Sequence, residues 1–209
     1  MLKVQIVLWF CLAWLLVGPV VAGAGRAAYL DTIPVFWRTL YPDGGRGLYC
    51  GEPFAPHDRA YNIEHVFPMS WVSRELRCGD RDRCRRTSER FNRIESDMHN
   101  LYPARKELNQ ARGAYRYGVI AGERPYRAGC DFELDPRARV VEPRPEARGE
   151  IARAMLYMER HHGMPLYRRT RALMERWHRE DPPGPAERLR NDLIERVQGK
   201  RNPYVDADP

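Results

Sequence analysis

Four cysteines, Cys50, Cys78, Cys84 and Cys130, set the tightest limit on what this chain can fold into. They follow an N-terminal stretch with the form of an export signal. Met1-Leu2-Lys3 precedes an apolar run from Val4 to Ala22, which ends in Gly23-Ala24-Gly25. A short basic start, an apolar middle and a small-residue exit predict a secretory leader over residues 1–23, cleaved near Ala22 or Ala24. A retained membrane anchor is the competing reading, since the run approaches a bilayer span in length. Cleavage is favoured because Arg26 and a folded-domain pattern follow at once. A fifth cysteine, Cys11, leaves with the leader, and an even number then remains in an oxidising compartment. Two disulfides are expected, with three connectivities open. Cys78 and Cys84 enclose a short polar loop and are the favoured pair, which leaves Cys50 for Cys130. Zinc is the weaker alternative, because Cys-x5-Cys has no second paired cluster.

Residues 24–209 are enough for one well-buried domain and too few for two. The net charge is +7, one unit less once Lys3 is removed, and nearly all of the excess is arginine. Arginine binds phosphate bidentately and stacks on bases, so the balance suits a polyanion. Compositional bias is an equally good account of the charge alone.

The order of elements reads as mixed α and β. A short helix is expected from Ala28 to Leu40, then a turn over 41–45 and a short strand over Gly47–Gly51. Residues 52–59 read as loop, and a strand over Asn62–Val66 carries Glu64 and His65 at its end. Trp71 to Arg93 is arginine-dense and reads as a disulfide-tied loop that presents a phosphate-facing rim. Pro103 is expected to open a helix through Leu108 to about Ala111, carrying Asn109. Strands follow at 115–120 and within 130–141. Three helices close the chain, over 148–158, 170–180 and 185–198; the last is expected to bury Leu189, Leu193 and Val197 and to end at Gly199.

Two stretches carry candidate chemistry: Tyr61-Asn62-Ile63-Glu64-His65-Val66-Phe67-Pro68, and Asp97 to Pro103 running on to Arg112. A carboxylate and an amide oxygen suit a hard divalent cation, while a neutral imidazole can take a proton from water. Glu64 would face the metal and His65 the water, with Asn100 or Asn109 as the second oxygen donor. That division of labour fits phosphodiester hydrolysis.

These residues resemble the endonuclease I nucleases of bacteria, in the ββα-metal (His-Me finger) group. The matching pieces are Tyr49-Cys50-Gly51, Glu64 to Pro68, Asp97 to Pro103 with Asn109 and Arg112, Arg148 to Met158, and Gln198 to Val205. The resemblance implies an α+β domain around a ββα-metal motif with additional C-terminal helices. It implies a periplasmic or secreted endonuclease, little selective for sequence, that cuts DNA, with RNA as a second substrate, and leaves 5′-phosphates. His65 would be the general base, and Glu64 and Asn109 would hold one Mg²⁺-like ion, with Mn²⁺ or Ca²⁺ as alternatives. Arg81 or Arg83 would contact phosphate, as would Arg112; Asn100 would hold the motif together. The mature form is expected to be monomeric and free of the membrane. Many members carry Cys-Gly-Cys at the first cysteine and another cysteine near the C-terminus. This chain has Glu52 and ends Asp206-Ala207-Asp208-Pro209, so one family disulfide is expected to be missing. Two rival functions are an exported nucleic-acid-binding protein without catalysis and a phosphodiesterase of small substrates.

Overall fold

A computed structural model describes residues 28–122 and 124–206. The expected leader lies outside them. Within them the chain is a single α+β domain, and no helix is long and apolar enough to cross a membrane.

Helix α1, Ala28–Leu40, matches the expected span. Gly47–Gly51 is a turn rather than a strand: the amide of Gly47 bonds the carbonyl of Glu52 and that of Gly51 bonds Gly47. The strands here are the pair beside it, β1 (Gly45–Arg46) and β2 (Pro53–Phe54), antiparallel. Strand β3, Tyr61–His65, lies one residue from its expected position.

Residues 69–95 form helices, not a loop: α2 (Met69–Glu75), α3 (Arg81–Thr87) and α4 (Glu89–Glu95). The Asp80 carboxylate accepts from the Arg83 amide and Ser88 Oγ from the Phe91 amide, so both later helices start on side-chain caps. Arginine is a good helix former, and Val72, Cys84, Phe91 and Ile94 supply each helix with a buried side. The arginines occupy the outer turns of capped helices.

Asp97 then caps a 3₁₀ turn, Met98–Asn100, by accepting from the His99 amide. Strand β4, Leu101–Arg105, pairs antiparallel with β3, from Tyr61 opposite Arg105 to His65 opposite Leu101. Pro103 therefore sits in a strand and does not open a helix. A two-stranded ribbon tolerates proline where no ladder donor is needed, and its carbonyl accepts from the Leu48 amide at 2.8 Å. Helix α5 begins after β4 and runs Lys106–Arg112, with Asn109 on it as expected. Gly113, at φ +51°, ends it in a backbone region that favours glycine.

The strand expected over 115–120 shortens to β5 (Arg116–Tyr117), and the one within 130–141 is a hairpin of β7 (Cys130–Asp135) and β8 (Val140–Pro143). With β6 (Pro125–Arg127) they form a sheet in the order β5-β8-β7-β6. Helix α6, Pro145–His162, lies at the centre of the core and is buried from Ile151 to Met158. Gly149 lets α6 approach the next helix end: a Cβ there would sit 2.0 Å from the Asp181 carbonyl oxygen.

Helices α7 (Arg168–Glu180), α8 (Pro185–Gln198) and α9 (Pro203–Asp206) complete the fold. In α7, Trp177 is buried, with Met174 beside it and Leu173 only partly covered. Gly199 terminates α8 at φ +68°, as expected. The buried face of α8 is not the expected one. Leu189 and Val197 are 56% and 40% exposed, while Glu187, Asn191 and Ile194 face inward. Polar anchors turn this helix. Glu187 pairs with Arg153, Arg190 donates to the carbonyls of Met98 and Leu101, and Gln198 bonds the Ser96 carbonyl and the Met98 amide. Helix α8 thereby grips the turn that feeds β4.

Both favoured disulfides are present, Cys78–Cys84 and Cys50–Cys130, the second across a sequence separation of 80. By loop closure the long bridge stabilises by about 4–5 kcal/mol and the short one by about 2 kcal/mol.

Candidate active site

A cleft of about 1490 Å³ lies among α1, β3, α3 and α5, and Glu64, His65, Arg81, Asn109 and Arg112 all line it. His65 is buried at the end of β3. Its Nε2 lies 2.9 Å from the carbonyl oxygen of Glu95, which can only accept, so Nε2 carries the proton and Nδ1 keeps its lone pair. Burial, reinforced by the Arg81 charge, lowers the imidazole pKa to about 3. The ring is neutral across the physiological range.

Glu64 stands on the same strand, and consecutive strand residues point to opposite faces, so the two side chains serve different neighbours. Glu64 Oε1 accepts from Tyr49 Oη at 2.7 Å and from Arg112 Nη1 at 2.8 Å. Its Oε2 makes no hydrogen bond among the described residues. Burial raises this carboxyl above its ordinary range, while Arg112 and the Tyr49 hydroxyl pull it down. Asn109, one turn into α5, donates Nδ2 to Asn62 Oδ1 at 2.8 Å and to the Ile63 carbonyl at 3.2 Å. That network fixes which way the amide faces and leaves Oδ1 unbonded among the described residues. One carboxylate oxygen and one amide oxygen therefore share the cleft. Both are hard donors, and few enough to suit a cation that retains much of its water shell.

Asn100 holds the backbone beyond His65. Its Oδ1 accepts from the Phe67 amide at 2.6 Å and its Nδ2 donates to the Phe67 carbonyl at 3.0 Å. Both ends of this amide are thus committed to the backbone of Phe67.

The arginines sort differently from expectation. Arg112 is 1% exposed, and its guanidinium is committed to Glu64 and to the carbonyls of His65 and Val66. It lines the floor of the cleft with these bonds directed into the protein, and its Nε alone has no hydrogen-bond partner among the described residues. Arg81 lines the cleft with its side chain 45% exposed, whereas Arg83 is exposed elsewhere on α3, against Gly79. Arg85, four residues after Arg81, joins it in the cleft. The carboxylate of Glu95, fully buried, accepts from Arg81 Nε at 2.5 Å and from Arg85 Nε and Nη2 at 2.8 Å each. Glu95 thus binds His65 through its backbone and both arginines through its side chain.

Sequence reasoning assigned no role to Tyr29 or Glu95; Tyr49 entered only as part of a matching motif and Arg85 only as one arginine of the expected rim. The i+4 spacing of Arg85 from Arg81 singles it out once the segment is known to be helical.

Among the described residues, Asp97, His161 and His162 also bring three possible ligand atoms within 4.8 Å of one another. The Asp97 Oδ2 already accepts from Lys200 Nζ at 2.8 Å, His162 Nε2 at 2.7 Å and Tyr157 Oη at 3.0 Å. An ammonium stands where a metal ion would. The cluster ties α6 and the C-terminal segment to the turn before β4.

Residues 41–208 match the family model described as Endonuclease I. An extracellular deoxyribonuclease of Aeromonas hydrophila is 36% identical over 223 residues, covering 94% of this chain and 95% of that protein. A periplasmic deoxyribonuclease of the same organism is 38% identical over 164 residues, covering 75% of this chain and 69% of the relative. A more distant extracellular ribonuclease of Bacillus amyloliquefaciens is 29% identical over 129 residues, 53% of this chain and 43% of the relative. With the match spanning both ribbons, the cleft and the C-terminal helices, this chain belongs to the endonuclease I family.

Proposed function

We propose that this protein is an exported, metal-dependent endonuclease that hydrolyses phosphodiester bonds in DNA, with RNA as a second substrate. The observation that carries the reading is the proton arrangement at His65. Its Nε2–H is held by the Glu95 carbonyl, so Nδ1 is free to accept, in the same cleft as Glu64 and Asn109. The names of the relatives, deoxyribonucleases and a ribonuclease outside the cell or in the periplasm, support the substrate and the address. The leader-like residues 1–23 agree with export.

In this reading His65 Nδ1 takes the proton of a water as its oxygen attacks phosphorus. The P–O3′ bond breaks, leaving a 5′-phosphate and a 3′-hydroxyl. Glu64 and Asn109 would hold one divalent ion through their oxygens, Mg²⁺ or a similarly hard cation such as Mn²⁺ or Ca²⁺. When bound, the ion neutralises charge on the phosphate and eases departure of the leaving oxygen. Arg81 and Arg85 sit where they can pair with phosphate oxygens, which makes them better candidates than Arg83 or Arg112. In this reading the β3–β4–α5 succession would serve as the ββα-metal motif that the family resemblance implies.

Plasmid cleavage tests this directly. The wild type is expected to cut supercoiled DNA with Mg²⁺ and to stop with EDTA. His65→Ala is expected to lose cutting by about 10²-fold or more while still binding DNA. Equal cutting by wild type and His65→Ala would overturn the assignment of the base. Binding without cutting by the wild type, under every divalent ion tried, would leave a nucleic-acid-binding protein instead.

A further inference from the structure

The base and the phosphate-side arginines share one support. Helix α1 packs on α4, the helix that ends at Glu95. Tyr29, in the first turn of α1, projects from there into the cleft and is half-buried. Its ring centroid lies 5.1 Å from that of His65, with the planes tilted by 46°. The guanidinium carbons of Arg81 and Arg85 lie 5.4 Å and 5.5 Å from the same ring centroid. One aromatic ring therefore touches all three groups that Glu95 gathers from the other side.

We propose that Tyr29 is a positioning residue of this site, a ring wedged between His65 and the Arg81–Arg85 pair that fixes where the base stands relative to the phosphate-binding cations. Three points support it. Among the described residues the His65 ring has one hydrogen bond, through Nε2, and a single bond leaves the ring free to tilt about that axis. A flat neighbour at van der Waals range removes that freedom. Arg81 and Arg85 are held to Glu95 at their Nε and Nη edges, with Asp82 a further 3.7 Å from Arg85, and the Tyr29 ring sets their planes through cation–π contact. Finally, α1 packs chiefly on α4 and α8, so the ring meets His65 from an element anchored independently of the strand that carries the base.

The inference rests on the nuclease reading for its kinetic test, and a second readout is independent of it. Tyr29→Leu keeps an apolar side chain without the ring, and Tyr29→Phe keeps the ring without the hydroxyl. In the full mature chain with Mg²⁺, Tyr29→Leu is expected to lower kcat about tenfold or more, with KM changed far less. Tyr29→Phe is expected to restore most of kcat. In an Arg81→Met background the effect of Tyr29→Leu should shrink, since the ring would have less left to align. The metal-free readout is the ring N–H proton of His65 in NMR. Held at the Glu95 carbonyl, it should remain sharp in wild type and Tyr29→Phe, and broaden by exchange in Tyr29→Leu.

An unchanged kcat and an unchanged His65 signal in Tyr29→Leu would overturn the proposal. So would a Tyr29→Phe protein as impaired as Tyr29→Leu, because the hydroxyl rather than the ring would then matter. A matching loss of melting temperature and active fraction, with normal kcat per folded molecule, would make Tyr29 merely structural. A wild type that does not cut nucleic acid would sink the nuclease reading, and the NMR comparison would still decide the role of Tyr29.

Discussion

Arg112 reaches 2.8 Å from Glu64 with both side chains almost wholly buried, so the cleft's only carboxylate on β3 is already half-neutralised from within. The pair does two things. It pins Oε1, which leaves Oε2 without a hydrogen-bond partner among the described residues, and it ties α5 to the backbone of His65 and Val66. Removing the arginine strands a buried carboxylate. Arg112→Leu is expected to lower stability by about 3–5 kcal/mol in urea unfolding. Calorimetric titration of the surviving folded protein should show Mg²⁺ affinity reduced by about tenfold or more. If Arg112 instead contacted phosphate, stability and metal affinity would hardly move and only KM would rise.

In the proposed metal site Asn109 would supply a neutral oxygen and keep the charge low. Asn109→Asp adds a second carboxylate beside Glu64 and should tighten divalent-ion binding. The same extra charge repels the phosphate, so KM for DNA should rise and kcat should fall. Parallel measurement of metal affinity and cleavage checks this, and the expected outcome is that the two move in opposite directions.

Stability should fall in mild acid. Burial lowers the pKa of His99 to about 4, and its Nε2 is bound to the Lys200 carbonyl. The unfolded imidazole titrates near 6.5, so between those values the unfolded chain holds a proton that the native chain refuses. Stability then rises with pH across that window and is lost as pH falls through it. Between pH 7 and pH 4.5, His99 alone should cost about 2 kcal/mol. Asp97, beside it, adds to the loss at lower pH: burial raises its carboxyl, but His162 and Lys200 more than reverse that, and the pKa is depressed. Urea titrations of wild type and His99→Gln at the two pH values should differ by that amount in their pH dependence. Identical pH dependence would exclude His99 as the source.

The two disulfides should separate by phenotype. Cys78–Cys84 joins the end of α2 to α3, the helix that carries Arg81 and Arg85. Replacing both with serine should cost about 2 kcal/mol of stability but a disproportionate share of kcat, as the arginines loosen. Replacing Cys50 and Cys130 should cost about 4–5 kcal/mol, with the larger change in melting temperature. Melting curves and kcat on both double mutants check the contrast.

What the sequence made legible was local. The strand ending in Glu64-His65, the apolar run of α6 and the glycine stop at Gly199 depend on neighbours a few residues away, and all three are in the structure. The arginine-rich stretch misled because its polarity hid capped helices with a few buried anchors. Helix α8 misled for the opposite reason. Its leucines made an apolar stripe, but Glu187, Asn191 and Arg190 had partners far along the chain that outbid it. The role of Arg112 was invisible for the same cause. A charge is bought inside a protein only by a specific partner, and no periodicity announces where Tyr49 and Glu64 will meet it.

The bridge from Cys50 to Cys130 has a bearing on how long such a molecule survives among proteases. Glu64, His65, Arg81, Arg85, Glu95, Asn109 and Arg112 all lie between those two cysteines. That span is a covalent ring. One backbone cut anywhere within it, including the exposed stretch around Ala121 and Gly122, leaves two pieces that remain tethered, with every listed residue still attached. Only a second cut, or reduction of the sulfur bridge, lets part of the cleft drift away.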